Sequence, residues 1–226
     1  MANAKENVQS PIGTFEWVFI DGNGKEDLQG NSKFVANVVV DPDQVDETTT
    51  DAQAANAKAF IASVEDFWEA NKPAAAKGKF ANAKSNGIYK HSVDSGEKDE
   101  HGDKIYTETG KYSLSFKTGT TFTDGKAKVI GVANAKGAPI SLQGKKIGNG
   151  SRGRIKGAMG IYNFSPSMGV ALYLNSVQLT KFVEFSDGFD AVEDEDEEAF
   201  EGVGEFGGVV EEPQEAATTN ESPRLD

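Results

Sequence analysis

The chain has 226 residues, no cysteine, 37% hydrophobic residues and a net charge of −13, a size that supports one sizeable core or two small ones. Without cysteine, a disulfide framework and thiolate metal sites are excluded. No apolar stretch approaches the roughly 18 residues of a membrane-spanning helix, and the start Met1-Ala2-Asn3-Ala4-Lys5-Glu6 lacks the apolar core of a signal peptide, so a soluble cytoplasmic protein is expected.

Residues 14–20, Thr-Phe-Glu-Trp-Val-Phe-Ile, read as a strand, and Gly22, Asn23 and Gly24 mark the turn after it. Residues 33–40 read as a second strand that stops at Asp41-Pro42. Thr50 and Gln53 form a capping-box pattern that opens a helix over about 51–70. Ala57, Phe60, Ile61, Val64, Phe67 and Trp68 follow helical spacing and give it one apolar stripe suited to packing on a sheet. Asn71 and Pro73 close it. Residues 72–104 show no apolar period and read as an exposed excursion. Both histidines, His91 and His101, fall there among Asp94, Asp99 and Asp103. An ordinary solvated loop is expected for them, with no metal site.

From residue 105 the pattern is β again: Ile105-Tyr106, then Tyr112, Leu114 and Phe116 in alternation, Val129–Val132, Ile155–Tyr162 and Val170–Phe185. Short strands separated by glycine-rich turns, with one helix, imply a mainly β fold closed or nearly closed into a small barrel over residues 1–186. At Asp187 the composition changes. Residues 187–226 hold 15 acids and one arginine, giving −14. Such a segment repels itself and cannot bury a core, so it reads as a disordered acidic tail. Phe189, Phe200 and Phe206 are spaced through it as candidate docking points for partners.

The charge of the body is divided too. Residues 1–71 hold 4 lysines and 13 acids, whereas residues 111–181 hold 11 basic residues and the single acid Asp124. The later part is a plausible electrostatic footprint for a polyanion. Its centre is the run from Gly144 to Lys156, with Lys145 and Lys146 before a glycine-rich turn. Arg152, Arg154 and Lys156 follow at a spacing of two. On a strand these three share one face, about 6–7 Å apart, a repeat that suits the phosphates of an extended strand. Gly148, Gly150 and Gly153 let backbone approach a ligand closely. Tyr162 and Phe164 lie just downstream beside Ser165-Pro166-Ser167. Single-strand binding combines a basic groove with stacking rings; core filling is the alternative for both aromatics.

Residues 148–153 also match G-x-G-x-x-G, but a dinucleotide site needs a strand before, a helix after and an acid about 20 residues on. That context is absent here. No phosphate-loop motif, cysteine nucleophile or zinc-type histidine pair occurs. Neither a cofactor nor an enzymatic activity is therefore expected.

These residues resemble the replication single-stranded DNA-binding proteins of short-tailed bacteriophages. The resemblance is clearest over 144–185: the basic turn Gly148-Asn149-Gly150-Ser151-Arg152, a basic strand, the aromatic loop Tyr162-Asn163-Phe164 reaching Gly169, the strand with Leu174-Asn175-Ser176-Val177-Gln178-Leu179, and then the acidic tail. It implies an OB-fold-like barrel that coats unpaired DNA in phage replication, recombination and repair, in the cytoplasm of the infected bacterial host. It also implies a homodimer, and a tail that modulates binding and recruits polymerase, helicase or primase. Tyr162 would stack on a base, with Phe164 as the second aromatic, and Arg152, Arg154 and Lys156 would face phosphates. One departure is plain: the chain ends Pro223-Arg224-Leu225-Asp226, where the family type ends in phenylalanine. The alternative from the residues alone is a protein–protein or phage scaffold module that binds no nucleic acid. A nuclease would need clustered acids in the basic part, where Asp124 stands alone.

Overall fold

A computed structural model describes residues 4–26, 30–73, 81–82, 87–164 and 167–186. The acidic segment, with Phe189, Phe200 and Phe206, lies outside them. The elements run β1 (Lys5–Gln9), β2 (Gly13–Phe19), β3 (Lys25–Glu26), β4 (Ser32–Val40), α1 (Asp51–Asn71), β5 (Ala81–Asn82), β6 (Ile88–Lys98), β7 (Lys104–Gly119), β8 (Gly131–Ala133), β9 (Arg152–Phe164) and β10 (Ser167–Lys181).

Five of these strands close on themselves. β2 pairs with β4, β4 with β7, β7 with β10, β10 with β9, and β9 returns to β2 through Gly13↔Gly153 and Thr14↔Arg152. Taken in chain order, the ring runs first, second, third, fifth, fourth. All contacts are antiparallel except third to fifth, where Leu172 and Tyr173 of β10 run parallel to Phe116 and Lys117 of β7. This is the mainly β, OB-like arrangement that the sequence implied. Closure removes free sheet edges from the ring, which stabilises short strands against edge-to-edge association.

The core follows the pleat. Phe34, Ala36, Val38 and Val40 of β4, Leu114 and Phe116 of β7, Ile155, Met159 and Ile161 of β9, and Val170, Leu172 and Leu174 of β10 are buried together. On β9 the intervening inward positions include Gly153 and Gly157. A Cβ at Gly153 would lie 2.0 Å from the Gln178 carbonyl oxygen and one at Gly157 2.1 Å from that of Tyr173. Only glycine lets β9 bend closely enough to serve β10 on one edge and β1 and β2 on the other.

The helix forms as its residues dictate. The Thr50 side chain accepts from Gln53 N–H and the Gln53 side chain accepts from Thr50 N–H, completing the capping box. Ala54, Ala57, Phe60, Val64, Phe67 and Trp68 are buried, and Phe60 meets Phe116 of the ring at 6.4 Å between centroids. Ile61 is only partly buried.

The segment read as an exposed excursion is corrected. From Ile88 it is strand, and β6 pairs antiparallel with β7 from Ile88↔Leu114 to Lys98↔Lys104. Outward of the Ser92↔Glu108 pair the hairpin is solvated on both faces, so its sequence carries no apolar period to detect. Asp99 accepts from the N–H groups of His101 and Asp103 at its tip. His91 is no loop residue either: its side chain is 11% exposed, with Nδ1 2.8 Å from Thr109 Oγ1 and Nε2 3.2 Å from Glu16. The last predicted strand is shorter than 170–185, ending at Lys181. β1 had no sequence signal, because all but one of its residues are exposed.

Candidate nucleic-acid interface

Two adjoining depressions run across the outside of the ring, one of about 370 Å³ and one of about 630 Å³. Lys33 of β4 and Lys117 of β7 line both, which makes them one channel. Trp17, Phe19, Lys25, Val35, Asn37 and Ser115 surround its first part. Lys5, Tyr89, Lys128, Ala158, Tyr162 and Tyr173 surround its second. The floor is supplied by the second and third strands of the ring, the face on which OB-type folds take oligonucleotides and oligosaccharides.

Cations and rings alternate along this channel. The Lys25 ammonium stands 5.6 Å from the Phe19 centroid, Lys5 stands 5.2 Å from that of Tyr173, and Lys128 stands 5.2 Å from that of the exposed Phe122. Lys128 also donates to Thr118 Oγ1 at 2.9 Å. Among the described residues Lys5, Lys25, Lys117 and Lys128 have no carboxylate partner, and Glu26 is the single acid among the described linings. The charge has a measurable consequence. Lys117 keeps surface open to solvent, yet the flanking strands strip enough water from its ammonium to lower its pKa, and the like charges of Lys33 and Lys25 lower it further. Desolvation likewise raises the pKa of Tyr89. A positive group held below its ordinary pKa by its own neighbours is relieved when an anion arrives. The Asn37 side-chain oxygen, buried in the first depression, has no hydrogen-bond partner among the described residues.

The residues singled out from sequence are distributed differently. Arg152, Arg154, Lys156 and Tyr162 do share the outer face of β9, since Gly153, Ile155, Gly157, Met159 and Ile161 point inward. Of these only Tyr162 reaches the channel. Arg152 lines a separate depression with Glu16, Asp41 and Asp46, where phosphate would meet carboxylates. Arg154 donates to Gln178 Oε1 at 2.6 Å and, with the Gln9 amide turned oxygen-inward, to Gln9 as well. Lys156 is exposed opposite Gln9 of β1. Lys145 pairs with Glu184 at 2.6 Å, and Lys146 is exposed beside that pair, its carbonyl accepting from Phe185 N–H. Phe164 ends β9, but its side chain lies outside the described residues. Among the described residues, the side chains of 144–164 do not come together in one open groove. The channel is made by lysines and rings from eight strands and the loop that carries Lys128, and sequence reading singled out none of Trp17, Phe19, Lys5, Lys25, Lys33, Tyr89, Lys117, Lys128 and Tyr173.

Three acids of the front half, Asp41, Asp43 and Asp46, are engaged elsewhere. Asp41 accepts from Val45 N–H, Asp46 N–H and Thr49 Oγ1; burial raises its pKa, but these donors and Lys111 outweigh that and hold it low. Asp46 accepts from Thr48 N–H and pairs with Lys111, which also depresses it. Asp43 pairs with Lys58.

No protein-family model and no curated protein matches the chain. Solved structures do. The single-stranded DNA-binding protein from bacteriophage Enc34, in complex with ssDNA, aligns with a TM-score of 0.52 at 14% identity, covering 79% of this chain and 88% of that one. Its C-terminal truncation gives 0.51 at 12% identity over 80% and 88%. The crystal structure of gp2.5, a single-stranded DNA-binding protein encoded by bacteriophage T7, gives 0.49 at 20% identity over 92% and 100%. At such identities the Enc34 likeness speaks for architecture: this chain has the fold of a bacteriophage single-stranded DNA-binding protein.

Proposed function

We propose that the chain binds single-stranded DNA along the Trp17–Tyr173 channel, as a binding protein and not a catalyst. The observation that carries this reading is the alternation of rings with Lys5, Lys25, Lys117 and Lys128, which have no carboxylate partner among the described residues, on an open track whose described lining holds a single acid. Lysines meet phosphates and release counterions, while Trp17, Phe19, Tyr89, Tyr162 and Tyr173 offer faces for bases at about 1–3 kcal/mol per stacked base. The shared fold of the Enc34 protein, solved with ssDNA, supports the same choice of ligand. The wider role we propose is coating of unpaired DNA during phage replication, recombination and repair in the host cytoplasm, with homodimer formation. In this proposal the acidic residues 187–226 modulate binding and recruit replication proteins.

Titrating labelled single- and double-stranded oligonucleotides with the full chain at several salt concentrations tests this. The expected result is preferential single-strand binding whose log affinity falls against log salt with a slope near −0.7 per phosphate neutralised. Absence of single-strand binding, or a flat salt response, overturns it. Removing residues 187–226, which carry −14, is expected to tighten binding; weaker binding by the truncated chain would reject the modulating role.

A further inference from the structure

We infer that Asn149 is a positioning residue that holds the indole of Trp17 out as a stacking platform at one end of the channel. The deduction starts from register. β2 and β4 pair in step from Thr14↔Val39 to Glu16↔Asn37, and then again only at Phe19↔Val35. β2 therefore carries one extra residue, a bulge, which leaves a residue unpaired and re-aims a side chain. In an unbroken strand Phe15, Trp17 and Phe19 would share the inward face. Phe15 is fully buried, but Trp17 is 58% exposed. Its φ of 54° is in the left-handed region, which a bulky side chain rarely occupies. Something must hold it there.

The restraint is a hydrogen bond from 132 positions away in sequence. Trp17 N–H donates to Asn149 Oδ1 at 2.9 Å. Asn149 is itself fixed, because its turn is clamped on both sides. Ser151 N–H closes the turn on the Gly148 carbonyl, Gly150 N–H donates to Phe15 O at 3.1 Å, and Phe15 N–H donates to Ser151 O at 2.7 Å. On the other flank Gly148 N–H donates to Val183 O, and the buried Ser151 hydroxyl both donates to and accepts from the Val183 backbone. A Cβ at Gly148 would sit 2.8 Å from Glu184 O, so the backbone lies directly against this segment. The glycine-rich run read from sequence as an approach for ligand thus acts as a brace: it carries an amide acceptor to the bulge, and the bulge presents the indole.

The stacking half of this inference rests on the DNA reading; the bracing half does not. Two measurements separate them. Amide hydrogen exchange by NMR on the full chain reads the brace without DNA. Asn149→Ala is expected to speed exchange of Trp17 N–H at least tenfold while the ring strands keep their protection, and Asn149→Asp, which keeps an acceptor oxygen, is expected to restore slow exchange. Iodide quenching gives a second optical check, because the other tryptophan, Trp68, is buried. Single-strand affinity reads the platform. Trp17→Ala is expected to weaken binding about tenfold and Asn149→Ala several-fold, and the double variant should be no weaker than Trp17→Ala alone. Unchanged Trp17 exchange in Asn149→Ala, or fully additive losses in the double variant, overturns the positioning role. If the unsubstituted chain binds no single strand while Asn149→Ala still frees the Trp17 amide, the DNA reading fails and the brace stands.

Discussion

Two basic regions of this molecule invite opposite expectations. The row on β9 is regular in sequence, with Arg152, Arg154 and Lys156 at every second position on one outer face. The channel looks disordered in sequence, with Lys5, Lys25, Lys33, Lys117 and Lys128 scattered over more than half the chain. Yet the row is the poorer anion track. Arg154 is held by Gln178, and Arg152 opens onto Glu16, Asp41 and Asp46. Among the described residues Lys5, Lys25, Lys117 and Lys128 have no carboxylate partner, and Lys5, Lys25 and Lys128 stand over aromatic faces. Regular spacing counts cations; it does not count what has already neutralised them.

The sharpest way to break this comparison is to remove cations from each region in turn. Lys33→Ala with Lys117→Ala should flatten the log–log salt slope of single-strand binding by about 1.4 and weaken binding on the order of 10- to 100-fold at low salt. Arg152→Ala, Arg154→Ala and Lys156→Ala together should cost no more than about threefold, because none of the three lines the channel and salt screens the exposed charges. Equal losses from the two sets would mean that the strand follows β9. Tyr162 sharpens the comparison, since it lies on the face of the row but lines the channel. Tyr162→Ala should cost roughly 1–3 kcal/mol of binding with the salt slope unchanged, read by the same titration.

The fold was largely legible, and of the candidate channel only Tyr162 was. The capping box at Thr50, the stripe through Phe60 and Trp68, and the alternation around Leu114 and Phe116 are local signals, and each marks an element that forms. β1 and the outer part of the β6–β7 hairpin escaped because strands wet on both faces have no period. The channel escaped for a different reason. Lys5, Lys25 and Lys33 belong to the first 71 residues, whose summed charge is −9. That sum hid them because Asp41 and Asp46 are consumed by turn N–H groups and Lys111, and Asp43 by Lys58, away from the channel. Trp17 was hidden by the bulge: alternation assigns it to the core, and one inserted residue turns it outward. Pairing between distant strands, which no window of sequence contains, decides both.

The smallest expected effect separates the two regions by pH. Lys117 is held below its ordinary value of 10.5 by desolvation and by Lys33 and Lys25, with Glu26, Tyr89, Lys128, Lys5, Tyr162 and Tyr173 as the other ionisable groups along the channel. Between the lowered pKa and 10.5 the unfolded chain binds more protons at this site than the folded one, so stability of the free protein rises with pH through that window. A phosphate beside Lys117 favours the ammonium and raises its pKa, so binding takes up protons and affinity falls over the same window. The two slopes have opposite sign. Tyr89, whose pKa is raised by burial, opposes the stability trend only from about 10 upward, where the unfolded chain loses its phenolic proton first. Thermal melts and single-strand titrations at pH values just below about 10 are therefore expected to diverge, and Lys117→Met should shrink both slopes, whereas Arg154→Met should alter neither, since Arg154 does not line the channel. Parallel slopes in the unsubstituted chain would place the phosphate away from Lys117 and return the comparison to the β9 face.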